Sequence, residues 1–516
     1  MQSEQPGDAN VRMSHHTERA GRCGEPCHPR GEATRANGHL EKVKEEGVEL
    51  RHQVNEMRFS IIDRVPVEVA SAIFRFYTAG NYNPLTLGSI CQNWRRIAWS
   101  TLSLWTCMTI TRNKDVPDVV VQLAREWLSR SGKLPLSITI TTTLFCKEDE
   151  GLDGFHALID VVNDHVSQWH SLDLFLPSSV LSRLKDASNV TQAMGFLSLQ
   201  RGYDISGNLT TPTLARIAPR IVILKLCHVD SASLCWSNVV NLTVAEITVY
   251  EARAVLGLSR QLQKCRFTTK EKQNPRPINL PPLIHKRLTA LDIDTWSDRN
   301  SLADLFNSIE LPALKTLAVR GHIGLPMAAI TTLVLRSGMN LNTLSLSSGY
   351  RPVLGEDLIQ TVQLTPNLEH LTISLHFPAN RDQLRPFYSA LEQHLPTSDR
   401  ATAALRDPLL PHLRTFHWYG YNGFPWQGLP SFFVPLSSDQ GLNICRPLES
   451  VQISCARHQD ISPIPYIPTE IVTQLDGYKT VLRLRVLLIP GDWQDLRALS
   501  LEHNANVASQ SPVFSF

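Results

Sequence analysis

A six-residue phrase, apolar-x-x-apolar-x-apolar, recurs across the last two thirds of the chain and constrains its fold more than any other feature. It reads Trp169/Leu172/Leu174, Ile221/Leu224/Leu226, Val239/Leu242/Val244, Leu262/Cys265/Phe267, Leu288/Leu291/Ile293 and Leu314/Leu317/Val319. It continues as Leu341/Leu344/Leu346, Leu368/Leu371/Ile373, Leu413/Phe416/Trp418, Leu448/Val451/Ile453 and Leu496/Leu499/Leu501. From Leu262 through Leu288, Leu314 and Leu341 to Leu368 the steps are 26, 26, 27 and 27 residues. The alternating end of the phrase has the period of a strand. Between phrases, Leu302, Leu305, Phe306 and Ile309, then Leu354, Leu358 and Val362, then Leu384, Phe387, Tyr388, Leu391 and Leu395 follow helical spacing. A strand-plus-helix unit of this size buries its apolar face only against its neighbours, so the spacing predicts a curved α/β solenoid over 166–505.

The repeats are irregular. Steps of 52, 45, 35 and 48 residues, from Trp169 to Ile221, Leu368 to Leu413, Leu413 to Leu448 and Leu448 to Leu496, predict insertions near 189–212, 397–409, 421–446 and 456–494. Residues 111–165 read as a connecting segment and 506–516 as a tail.

Ahead of the repeats the pattern is helical. Residues 1–39 hold almost no large apolar side chain and are expected to be a disordered tail. Leu40, Val43, Leu50, Val54, Met57 and Ile61, with Gly47 in the remaining slot, follow a 3-4 spacing that is too short for a self-standing coiled coil. An amphipathic helix over 40–60, docked on the next domain, is the expectation. Pro66 suits a first helical position, and Val69, Ala70, Ile73, Phe74 and Tyr77 then form one wide face. A second helix is predicted from about Leu85, with Leu87, Ile90, Cys91, Trp94 and Ala98 on one side and an apolar tail ending at Trp105. A core of this size is too small to be stable alone, so a neighbour or partner is expected to complete it.

Composition narrows the chemistry. Fifty Lys and Arg stand against forty-eight Asp and Glu, a net charge of +2 with no long basic run, so neither nucleic acid nor an anionic membrane is an expected partner. No apolar leader and no uninterrupted apolar span appear, which predicts a soluble intracellular protein, cytoplasmic or nuclear. The ten cysteines, among them Cys91, Cys227 and Cys265 in apolar stretches, read as small buried hydrophobes. Cys23, Cys27 and His28, with His15 and His16 nearby, lack the second cluster and the apolar core of a zinc site. "SRSGKL" at 129–134 has Trp127 where a phosphate loop needs its first glycine and Leu134 where it needs Ser or Thr. No G-x-S-x-G, H-E-x-x-H or paired C-x-x-C is present. No metal, cofactor or catalytic residue is expected.

The helical block resembles the F-box, whose usual phrase is Leu-Pro-x-Glu, then Ile-Phe, then a Cys and a Trp in a later helix and a closing Leu-Trp. The matching residues are Val65, Pro66, Glu68, Ile73, Phe74, Leu87, Cys91, Trp94, Ile97, Ala98, Leu104 and Trp105. "EWLSRSGKLPLSITI" at 126–140 and "WHSLDLFLP" after it resemble the segments that follow the F-box in large fungal F-box families. Val65 stands where Leu is usual, and Leu102 replaces a common Pro. The repeats are similar to leucine-rich repeats, except that Trp296, His322, Gly349 and His376 occupy the position where regular ones favour Asn or Cys.

The resemblance implies a small all-α F-box over 61–110 followed by an irregular leucine-rich-repeat-like α/β solenoid. It implies a substrate-receptor subunit of a cullin-based ubiquitin ligase, not itself an enzyme. Val65, Pro66, Ile73, Phe74, Leu87, Cys91, Trp94 and Trp105 would dock on a Skp-type adaptor, and through it a cullin. The repeats would hold an unidentified target protein. In a strand the residues flanking the inward leucines face out, so the concave surface would show Asp292, Asp294, Arg320, His370, His417 and Tyr419 among threonines and serines. Half of any such strand faces water in any case. A leucine-rich scaffold whose F-box serves a complex without ubiquitin, and an enzyme with a dispersed site, are the alternatives.

Overall fold

The computed structural model describes residues 30–57, 65–80, 82–113, 116–142, 152–187, 192–202, 212–225, 233–269, 282–296, 299–337, 340–351, 353–376, 384–392, 409–421, 424–433, 436–437, 443–444, 446–458, 464–475, 477–478, 480–489 and 491–510. It divides into two compact units, Met1–Ala98 and Trp99–Phe516. The division falls inside the segment expected as one helical domain, 61–110.

In the first unit, helix α1 (Arg30–Met57) begins inside the stretch expected to be a tail. Leu40, Val43 and Leu50 are all more than half exposed, so these members of the heptad stripe lie in water instead of docking. The zinc-like residues, from His15 to His28, lie outside the described residues.

Helix α2 (Val67–Ala79) starts where Pro66 ends the extended backbone, its carbonyl accepting from the amides of Val69 and Ala70 at 3.0 Å. Asn83 caps α3 (Pro84–Ile90), its Oδ1 accepting from the Leu85 amide at 2.9 Å. The single helix predicted from Leu85 onward is broken at Cys91, whose backbone is extended (φ −156°, ψ 171°). Cys91 then opens α4 (Gln92–Ser100), its carbonyl accepting from the Arg95 amide at 3.0 Å and its Sγ from the Trp94 amide at 3.5 Å. The break lets α3 and α4 fold on each other, with Arg95 Nε donating to the Gly88 carbonyl at 2.8 Å. Ala70, Phe74, Leu87, Ile97 and Ala98 are buried, and Phe74 meets Trp94 with ring centroids 5.0 Å apart.

The second unit is mixed α/β, built on a 15-stranded, mostly parallel sheet. Its strands are β1 (Cys107–Arg112), β2 (Leu136–Thr142), β3 (Trp169–Leu176), β4 (Gln192–Arg201), β5 (Ile217–Lys225), β6 (Asn241–Ile247) and β7 (Lys264–Thr269). They continue as β8 (Ala290–Thr295), β9 (Thr316–Gly321), β10 (Thr343–Ser348), β11 (His370–Leu375), β12 (Thr415–Tyr421), β13 (Ser450–His458), β14 (Val481–Ile489) and β15 (Trp493–Asp495). Each pairs with the next in sequence, and only β14 with β15 is antiparallel. Because β1 and β2 belong to the sheet, the segment expected to be a connection, 111–165, is part of it.

The register explains the phrase. Leu172, Leu197, Val222, Leu242, Cys265, Leu291, Leu317, Leu344, Leu371, Phe416 and Val451 are successive partners across β3 to β13. The first residues of the regular phrases, such as Leu288, Leu314, Leu341 and Leu368, are buried in the turns before the strands. A second repeating thread is backbone. Lys315 donates to the Thr289 carbonyl, Asn342 to Lys315, Glu369 to Asn342, Arg414 to Glu369 and Glu449 to Arg414, each at 2.8 or 2.9 Å.

Two phrases fall elsewhere. At β5 the buried pair is Val222/Leu224, with Ile221 half-exposed. Leu496/Leu499/Leu501 lies in the helix Leu496–Gln510, while the strand is Val481–Ile489, inside a predicted insertion. The insertion predicted near 189–212 likewise contains β4. Residues 397–408 lie outside the described residues. Helices Asp118–Arg130, Asp153–Asn163, Val249–Leu258, Arg299–Asn307, Met327–Arg336, Gly355–Gln363 and Arg385–Glu392 share one hydrophobic core with the strands. Burying each Leu or Phe there stabilises the fold by about 1.5–3 kcal/mol.

Candidate interaction surfaces

The residues expected to meet an adaptor separate by burial. Phe74 (0%) and Leu87 (4%) are interior. Trp94 is half-buried against Phe74, and Val65 is half-buried too, while Pro66, Ile73 and Cys91 are exposed. Cys91 is therefore not the buried hydrophobe the sequence predicts, although Cys265 is.

Trp105 belongs to the second unit. It is fully buried, edge-on to Trp99 and Trp127 at centroid distances of 5.3 and 5.0 Å, with the Arg130 guanidinium 4.9 Å from its ring. It precedes Met108 by three positions as Trp169 precedes Leu172, and Met108 and Leu172 both pair with Ile138. Trp105 thus fills the first position of the repeat phrase and packs on Trp127, which lies against the sheet's core.

The outer side of α2 is apolar. Val69, Ile73 and Phe76 recur at i, i+4 and i+7, and Phe76 is 84% exposed. Ile90, at the end of α3, is also exposed. Sequence reasoning merged Val69 and Ile73 with the core residues Ala70 and Phe74 and missed Phe76. The available signal was a second stripe of the same spacing one position away.

The second surface is the half-exposed face of the sheet, opposite the buried leucines. On β8 and β9 it carries an ion network. Asp292 accepts from Arg266 Nε and Arg320 Nη2, each at 3.1 Å, and Asp294 from Arg320 Nε at 3.1 Å and His322 Nε2 at 2.8 Å. A carboxylate only accepts, so His322 carries its proton on Nε2.

On β11 to β14 the face is different. Thr372, His417, Gln452 and Arg483 are register partners in one row, and Ser374, Tyr419, Ser454 and Arg485 in the next. His370 accepts from or donates to Thr415 Oγ1 at 2.8 Å through Nδ1. Arg485 donates from Nε to Ser454 Oγ at 3.0 Å and lies 4.6 Å from the Trp493 ring. Burial, then the positive charge of His370, Arg483 and Arg485, lowers the His417 pKa below its ordinary 6.5. Burial and then His322 do the same to His376, which hydrogen-bonds Ser347 Oγ at 3.0 Å.

The structure brings the expected face residues together in two groups: Asp292, Asp294 and Arg320 in the network, and His370, His417 and Tyr419 on adjacent strands. Arg266, Gln452, Arg483, Arg485 and Trp493 were missed. The arginines of β14 stood in a stretch read as an insertion, and their alternation with leucine, "VLRLRVLLI", was the signal.

Among the described residues, no group of three or more His, Cys, Asp or Glu side chains is placed to hold a metal ion, and no helix is long and apolar enough to cross a membrane. No protein-family model matches the chain, and no curated protein matches it.

Proposed function

We propose that this chain is a substrate-receptor subunit of a cullin-based ubiquitin ligase. Residues 61–110 act as an F-box that docks on a Skp-type adaptor, and the following α/β unit acts as an irregular leucine-rich-repeat-like solenoid that holds a target protein. The observation that carries this reading is the outward stripe Val69, Ile73 and Phe76, on a helix whose adjacent face is committed to Ala70 and Phe74. Isolated apolar residues on a surface need no explanation, but a helical stripe of three offers a partner a continuous contact. The strictly sequential strand order supports the solenoid, because each repeat then meets only its neighbours.

The mechanism is positioning. A receptor raises the effective concentration of a target lysine at a recruited ubiquitin-charged enzyme, and no side chain of this chain exchanges a proton. Such a complex would work in the cytoplasm or the nucleus.

Co-expression of the full chain with the Skp-type adaptor tests the reading by gel filtration and calorimetry. A stoichiometric complex is expected from the native chain and none from Ile73→Asp or Phe76→Asp, both surface changes. A folded chain that ignores the adaptor would leave a leucine-rich binding scaffold as the better description. Ubiquitination of a co-purified target that survives Phe76→Asp would exclude the ligase role.

A further inference from the structure

The four strands β11 to β14 contain no Asp and no Glu, and the rows from His370 to Arg485 on this face present hydroxyls, an amide, two histidines and two arginines, while Leu487 and Ile489 continue the same face of β14. Arg483 is exposed and has no hydrogen-bond or ion-pair partner among the described residues. Asp495, the register partner of Arg485, and Asp492 lie on the hairpin at the edge of this face, and neither forms an ion pair with Arg483 or Arg485 among the described residues. Asp495 accepts from the amides of Arg497 and Ala498 through Oδ1, and Glu369 and Glu449 flank Arg414 at 3.3 and 2.6 Å. Among the described residues Arg483 therefore carries a charge that no hydrogen bond or ion pair meets, whereas the arginines around Asp292 and Asp294 are paired within their network.

We infer that the face of β11 to β14 docks an acidic segment of a partner protein, with Asp or Glu carboxylates pairing Arg483 and Arg485 and accepting a hydrogen bond from His417. The donors are spread over strands spaced about 4.8 Å apart, a width of about 14 Å, and do not converge on one point. That spread suits several carboxylates along an extended segment better than one phosphate dianion, which is held by a nest, a helix terminus or an arginine fork. A polynucleotide suits it less, because Asp292 and Asp294 limit the positive zone on one side. Tyr419 and Trp493, with ring centroids 6.3 Å apart, border the zone and give the segment an aromatic edge. The inference rests on the receptor reading only in calling this partner the target; the charge arrangement does not depend on the adaptor.

The test is fluorescence anisotropy on the full chain with three labelled peptides of one length: Glu/Asp-rich, its Gln/Asn counterpart, and a neutral one bearing a single phosphoserine. The acidic peptide is expected to bind, to weaken as salt rises, and to lose about tenfold or more in affinity in Arg483→Gln with Arg485→Gln. The Gln/Asn peptide is expected not to bind. Because Arg485 covers Trp493, the single variant Arg483→Gln, at an exposed site, serves as the fold-neutral control and should weaken binding in the same direction. Equal binding of the Gln/Asn peptide, tighter binding of the phosphoserine peptide, or unchanged affinity in the folded variants would overturn the inference. Adaptor binding measured on the same preparations separates the two failures. A chain that binds adaptor but no acidic peptide loses only this inference, and one that binds the peptide but no adaptor loses only the ligase reading.

Discussion

His322 lies flat on Trp296, ring centroids 3.7 Å apart and planes 7° from parallel, while its Nε2 donates to Asp294 at 2.8 Å. The stack fixes the imidazole over the end of β8, so that Asp294 is held between His322 and Arg320. Arg320 in turn spans two carboxylates that sit two residues apart on one strand. Its removal leaves Asp292 and Asp294 to repel each other across half-buried positions. Arg320→Met, which keeps the apolar stem, is expected to cost about 1–2 kcal/mol, read as a lower urea midpoint for the second unit. Asp294→Asn should cost less, because an amide oxygen still accepts from His322.

Arg446 is 5% exposed, and its guanidinium donates to backbone carbonyls: Leu409 O at 2.9 Å from Nη2 and 3.2 Å from Nε, and Ser431 O at 3.0 Å from Nη1. The guanidinium thereby ties the turn before β12 to the buried 3₁₀ turns around Trp426 and Phe432. Arg446→Met strands those carbonyls, and a loss of about 3 kcal/mol is expected. Hydrogen exchange across 424–433 is the direct readout, since these turns should lose protection before the central strands do. Lys, with one charged point in place of a fork, should not restore it.

The repeats were legible where the chain kept both its period and its leucines, from Leu262 to Leu375. There the phrase, the register and the burial coincide, because the inward positions, Cys265 apart, are large apolar residues and the flanking ones, Ala290 and Ala318 apart, are polar. The rest was obscured by local composition. Trp105/Met108/Ile110 and Met194/Leu197/Leu199 fit the same phrase, but the first lay at the end of a helical block and the second inside a stretch read as an insertion. Leu499 and Leu501 carried helical and strand spacing at once, and the long run without a turn, to Gln510, decided for helix. In the helical unit, amphipathic spacing identified α2 correctly but not which apolar residues face the core. Val69 and Ala70 are successive residues of the helix, and only burial in the folded unit, 45% exposed against 0%, separates them.

Gly349 shows how the turns tolerate so little change. A Cβ placed on it would lie 1.9 Å from the His322 carbonyl oxygen, and the Tyr350 amide donates to that same oxygen at 2.9 Å. Gly349→Ala must push the turn off His322, so it is expected to destabilise by at least about 1 kcal/mol. The near-ultraviolet signal of the Trp296 stack should change with it, while Gly477→Ala, with only one distant neighbour at 3.6 Å, should change neither.

Acid should weaken the second unit. His376 and His417 both have folded pKa values below 6.5, chiefly because burial disfavours their charged forms. Between those values and 6.5 the unfolded chain binds more protons, so stability is full above 6.5 and declines as pH falls below it, levelling off once the folded values are passed. Thermal midpoints should therefore drop between about pH 7.5 and pH 5. His376→Gln with His417→Gln should flatten part of that drop. His165, lowered by burial against the opposing effect of Asp164, keeps the remainder.

Phe74 and Phe76 stand two residues apart on α2 and are expected to behave oppositely. Phe74 is fully buried against Trp94, so Phe74→Ala opens a cavity and should cost about 3–5 kcal/mol, enough to unfold so small a helical unit. Phe76 projects into water, and Phe76→Ser should leave the melt unchanged or raise solubility, since it removes exposed apolar area without touching the core. Circular dichroism melts of the two variants, run beside adaptor titrations, separate folding from docking. Loss of adaptor binding in Phe76→Ser with an unchanged melt would assign the outer stripe to the partner, whereas a melt lowered as far as that of Phe74→Ala would place Phe76 in the unit's own core.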